Sequence, residues 1–192
     1  MSTTVVPRTD TLSPAPQIAA AQGGSTAVCP PGEALVAATE IVREVAQAEL
    51  DSVAKDELLS LLHGLDEAAR LVEACRAKVL SAVDQREAWR GNGRDASMAA
   101  WRSRTTRTGQ GKAHREVSTA RTLTATPGAT DALTAGHMTP EHAEALSRIA
   151  TSGGVERRAK IAQALADPES SRELLDSAKH LDAPRFARAA QA

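Results

Sequence analysis

The feature that most constrains this chain is a seven-residue recurrence: Leu58, Leu65, Val72 and Val79 are evenly spaced. Leu61, Ala68, Cys75 and Ala82 follow three residues later, and Leu62, Ala69 and Val83 four later. Such spacing keeps one face of a continuous helix apolar. At about 1.5 Å per residue the helix is about 40 Å long, and it is expected to be the spine of the fold. The stripe fits two arrangements, a homodimeric coiled coil or a close neighbour within the chain, and the small residues at alternate layers favour the neighbour. Cys75 falls in one of these layers and is expected to act as a small, inert, buried hydrophobe.

No strand signal competes with this. The apolar content is Ala, Leu and Val, and the aromatic residues are Trp89, Trp101 and Phe186 alone. The expected class is therefore all-α, a multi-helix bundle around the long helix, with a short basic helix-turn-helix-like pair. Residues 1–31, rich in Thr, Ser, Pro, Gly and Ala, read as a disordered arm, and 32–192 as the helical domain. After Pro30-Pro31-Gly32, apolar Leu35, Ala38, Ile41, Val42 and Val45 mark a first amphipathic helix. The spine is expected to end near Trp89, at Arg90-Gly91-Asn92-Gly93. That loop is not read as a phosphate cradle, because no strand precedes it.

Further along, Asp95 or Ser97 caps a helix to about Arg104. Thr105–Gln110 then forms a connection, and Lys112 to about Thr124 a second helix. Met98, Trp101, Val117, Ala120 and Leu123 are assigned inward positions, with Arg102, Arg104, Lys112 and Arg115 toward water. Pro127-Gly128 stops the second helix, and Ala129–Thr134 forms a short one. Thr139-Pro140-Glu141 opens a helix through Ala150 as N-cap, N1 and N2. Helices over Val155–Ala166 and Ser170–His180 follow, and Pro184 begins a fragment still in progress at the last residue, as if a further domain followed.

Two cysteines far apart, Cys29 and Cys75, exclude a zinc ribbon or an internal disulfide framework and suit a reducing compartment. With no apolar segment long enough to span a bilayer, a cytoplasmic protein is expected. His137 and His142 bracket a helix start, but the third and fourth ligands of a metal site are missing, as is any G-x-S-x-G elbow. No catalytic residue, metal site or cofactor is assigned.

The charge distribution carries the functional argument. Residues 33–85 hold eleven acidic and five basic side chains, whereas 90–121 hold eight basic and two acidic. Within the basic stretch Arg94, Arg102, Arg104, Arg107, Lys112, Arg115 and Arg121 surround the helix pair, in the manner of elements that hold phosphates and place a helix in the major groove. The competing reading pairs these cations with the acidic long helix. Exposed pairs each contribute under about 1 kcal/mol, which does not by itself call for so many arginines in one segment. The scarcity of aromatic residues and the absence of Tyr argue against a base-stacking platform, leaving duplex DNA as the expected partner.

The order of features also resembles a known family. Asp84-x-Arg86-x-Ala88-Trp89, Gly93, Ala99-Ala100-Trp101, the Arg107-Thr108-Gly109 turn and ALTAGHMTPEHAEAL, with Gly136, Met138, Thr139, His142 and Ala143, are similar to the domain of unknown function 222 over roughly residues 33–190. The resemblance implies an actinobacterial helical module that precedes an HNH endonuclease and binds or positions DNA. The chain departs from the family at Gly111 and His114, where a Ser or Thr cap and an acidic residue are usual. It contains no HNH pattern, so no catalytic role transfers to any residue. The alternative expectation is a protein-interaction or dimerisation module built on the long helix.

Overall fold

The computed structural model describes residues 30–91 and 93–191, and the expectations for residues 1–29 and for Asn92 lie outside them. The described residues form nine α-helices and one 3-10 turn, with no strand among them. The all-α class read from the sequence is thus found. The chain divides into two units between Ser52 and Val53.

The first unit contributes α1 (Pro31–Gln47). Proline in its opening turn supplies a φ suited to a helix start, and Glu33 complements the dipole. Pro31 is therefore helical, one residue inside the segment read as the arm. None of the α1 residues is buried, including Leu35, Val36, Ile41 and Val42.

The second unit begins with α2 (Lys55–Gln85), the long helix of 31 residues. It stops at Gln85, short of the expected Trp89: Glu87 turns left-handed at φ 49°, and Ala88–Arg90 form the 3-10 turn. Then come α3 (Met98–Thr106), α4 (Gln110–Ala125), α5 (Ala129–Thr134), α6 (Pro140–Thr151), α7 (Val155–Ala166), α8 (Pro168–Ala178) and α9 (Ala183–Ala189). Ser97, not Asp95, caps α3, accepting a hydrogen bond from the Ala100 amide at 3.1 Å. Asp167 and Asp182 cap α8 and α9 in the same way.

α4 is the hub of this unit and packs against α2, α3 and α6, while α6 in turn carries α7 and α9. Its inward residues Ala113, Val117, Ala120 and Leu123 are buried, in the same core as Met98, Leu133, Met138, Leu146 and Phe186. The inward assignments of Met98, Val117, Ala120 and Leu123 therefore hold, and Trp101 packs at the core's edge, partly buried.

The face that α2 turns to this core is not the one its leucines mark. Ala74, Ala77, Leu80 and Ser81 are its buried residues. The seven-residue series lies away from it, with Leu58 38% exposed, Leu65 44%, Val72 48% and Val79 61%, while Val83 of the same stripe packs at the core's edge. The expected intrachain burial of the heptad stripe is overturned, and with it the burial of Cys75, which is exposed. The physical reason is size. Ala74 and Ala77 on α2 share the core with Ala120 of the hub helix, and small side chains let two helices approach more closely than leucines permit.

At the far side of the core, α6 opens with the predicted Thr139 cap. The reciprocal partner is His142, standing where a Glu or Gln is usual: the Thr139 amide donates to His142 Nδ1 at 3.3 Å, and the His142 amide donates to Thr139 Oγ1 at 3.4 Å. His142 Nε2 lies 2.8 Å from the Leu181 carbonyl oxygen, so that nitrogen carries the proton and Nδ1 accepts. Both ring nitrogens are occupied by the fold, and the ring meets Phe186 edge-on at 5.2 Å.

Candidate nucleic-acid interface

The basic stretch folds into α3, a three-residue turn and α4. Arg107 ends α3 in the left-handed region at φ 55°. Two hydroxyls fix the turn: Ser103 Oγ donates to the Thr108 carbonyl at 2.6 Å, and Thr106 Oγ1 lies 2.9 Å from Thr108 Oγ1. Extended Gly109 then starts α4 without a side-chain cap, and no acidic residue occupies its first turn. The Gln110 and Gly111 amides therefore have no intrahelical acceptor. At this end of α4 Gln110, Gly111, Lys112, His114 and Arg115 are exposed, as are Arg121, Thr124 and Ala125 at the other end.

The seven basic residues read from the sequence divide into two groups. Three are tied to carboxylates. Arg102 Nε lies 2.9 Å from Glu116 Oε2, with the two side chains only 21% and 16% exposed, so this pair bolts α3 to α4. Arg102 therefore does not face water as expected. Arg104 grips Asp95 with two hydrogen bonds of 3.1 and 2.7 Å, which holds the segment before α3 against that helix. Arg121 Nε lies 2.6 Å from Asp84 Oδ2 and joins α4 to α2. For these three the internal-compensation reading describes what the side chains do.

The other four, Arg94, Arg107, Lys112 and Arg115, are exposed and make no ion pair among the described residues. Three of them, Arg107, Lys112 and Arg115, fall on the turn and the opening turns of α4. Arg115 folds back along its own helix, its Nη1 3.7 Å from where a Cβ on Gly111 would stand. Cations at a helix N-terminus oppose the dipole, each by about 0.3–1 kcal/mol. No carboxylate within α4's first turn offsets that cost. Of the carboxylates that neutralise the other group, Glu116 was not singled out in the sequence, Asp95 was read only as a cap and Asp84 only as part of a motif. Which cation each meets depends on the helix faces that come together.

Hydrogen bonding from Arg121 and its charge hold the Asp84 carboxyl below its usual range, against a smaller opposing effect of burial. Arg104 acts likewise on Asp95. A carboxylate with a depressed folded pKa contributes stability that is present above its unfolded value of about 3.9 and lost as pH falls through the folded value. Asp84→Asn is thus expected to be destabilised near neutral pH by about 1 kcal/mol or less, since Arg121 is largely exposed. The gap from the parent should close below about pH 4 in urea titrations at stepped pH. A gap constant from pH 7 to pH 3 would show that the pair adds no pH-dependent stability.

His137, the other histidine considered as a ligand, is exposed beside an open groove of about 430 Å³ lined in part by Asp131, Ser171, Arg172, Asp176 and Lys179. No group of three or more His, Cys, Asp or Glu side chains suited to a metal occurs among the described residues. No helix there is long and apolar enough to cross a membrane. Compared with models of protein families, with curated proteins and with solved structures, the chain matches none.

Proposed function

We propose that the second unit is a duplex-DNA contact or positioning module that holds phosphates around the α3–α4 turn. The observation that carries this reading is the division of the basic residues. Arg102, Arg104 and Arg121 are tied to carboxylates, whereas Arg94, Arg107, Lys112 and Arg115 are exposed and make no ion pair among the described residues, Arg94 acting on Asp95 only through its charge. In helix-turn-helix docking it is the N-terminal part of the second helix that meets DNA, and that part of α4 exposes Lys112, His114 and Arg115. The resemblance to the domain of unknown function 222 supports the same assignment, as a module working with an HNH nuclease in a cytoplasmic, actinobacterial setting.

The test is fluorescence anisotropy of the full chain on a random duplex of about 20–30 base pairs across a salt series. Four phosphate contacts predict that log K falls against log salt with a slope of about −3 to −4, whereas engagement of all seven cations would give about −6. No binding at low salt would sink the proposal.

A further inference from the structure

We infer that the exposed heptad face of α2 is the seat of a second copy of this chain, the two long helices lying antiparallel about a two-fold axis. This rests on α2 alone and is independent of the DNA reading. α2 buries Ala74, Ala77 and Leu80 in its own core, with Val83 at the edge of it. Away from that face Leu58, Leu65, Val72, Cys75 and Val79 are exposed. Exposed apolar area is costly in water, and a contiguous stripe of it marks a contact surface. Its period names the kind of contact: a strict seven-residue repeat matches the 3.5-residue turn of two supercoiled helices.

Charge fixes the direction. Of the charges on α2, Glu57 stands beside the stripe in the first half, and Arg76, which also meets Glu73 of its own helix, and Lys78 in the second. An antiparallel pair sets Glu57 of each helix toward the Arg76–Lys78 end of the other, whereas a parallel pair stacks like on like, which disfavours it.

Side-chain size fixes the register. With Leu65 opposite Cys75 of the second copy, Leu58 faces Ala82, Leu61 faces Val79 and Val72 faces Ala68, each layer occurring twice by symmetry. Every layer sets a larger side chain against a smaller one, so the small residues of the repeat let this second helix in. Cys75 of each copy then lies ten residues along the axis from its counterpart, about 15 Å away.

Sedimentation equilibrium of the full chain should show a monomer–dimer equilibrium. Leu65→Glu combined with Val72→Glu should weaken it about a hundredfold or more while helical circular dichroism is unchanged, because both side chains are exposed in the single chain. Direction is read by disulfide trapping in a Cys29→Ser background. Leu65→Cys should oxidise with native Cys75 to a covalent dimer, and Cys75 alone should not cross-link. A monomer at all concentrations overturns the inference, as does efficient cross-linking through Cys75 alone, which requires a parallel pair or a different antiparallel register.

Discussion

Phe186→Ala should lower the free energy of unfolding by about 3–5 kcal/mol, the largest single-site loss expected anywhere in the described chain. Phe186 is the one phenylalanine of the sequence and is fully buried. Its ring anchors the seven-residue α9 to α6 and meets the His142 imidazole at an interplanar angle of 68°. Truncation leaves a cavity the size of a ring, and α9 is too short to hold its place by its own backbone bonds. It also strips one wall from His142, whose bond to the Leu181 carbonyl fixes the segment before α9. Urea unfolding followed by circular dichroism measures the loss. A value under about 1 kcal/mol would mean that α9 frays from α6 in solution and that the core closes without it.

Replacing Arg94, Arg107, Lys112 and Arg115 together by glutamine should reduce duplex affinity about a thousandfold near 0.1 M salt and flatten the salt slope almost to zero. These side chains are exposed and make no ion pair among the described residues, and those at the start of α4 oppose its dipole, so thermal stability should be kept or slightly raised. The complementary variant, Arg102, Arg104 and Arg121 to glutamine, should behave in the opposite way. It leaves Glu116, at 16% side-chain exposure, without its cation and unties α4 from both α3 and α2, so stability falls. The salt slope of the molecules that remain folded should stay near that of the parent. If the two variants lose affinity equally, the cations act as a diffuse field and the α3–α4 turn has no special place in it. Parent-like binding by the first variant would end the DNA proposal.

The helices themselves were readable because punctuation residues act locally. Pro127-Gly128, Thr139-Pro140 and Gly153-Gly154 break or open helices through their own backbone preferences, and α5 and α7 run between the residues expected. Facing was not readable in the same way. A periodicity argument weights Leu58 and Leu65 above Ala74 and Ala77, yet close approach to α4 selects the alanines. His142 was noticed as a possible ligand, and its capping role was hidden because a histidine at that helix position is an unusual partner for Thr139. In the candidate interface, net charge located the basic segment. It could not separate Arg102 from Lys112, since the difference lies in whether Glu116 on the next helix comes within reach.

The alanine-lined contacts around α4 have a consequence for how chains of this fold can diverge. Ala74, Ala77, Ala113, Ala120, Ala129, Ala143 and Ala145 are all at most 5% exposed, and each stands where a longer side chain would force helices apart. These alanines are held in place from both sides of each helix contact. Kinship among such proteins would then be written in the smallest side chains, at positions where a comparison keyed to large hydrophobic residues has least to read.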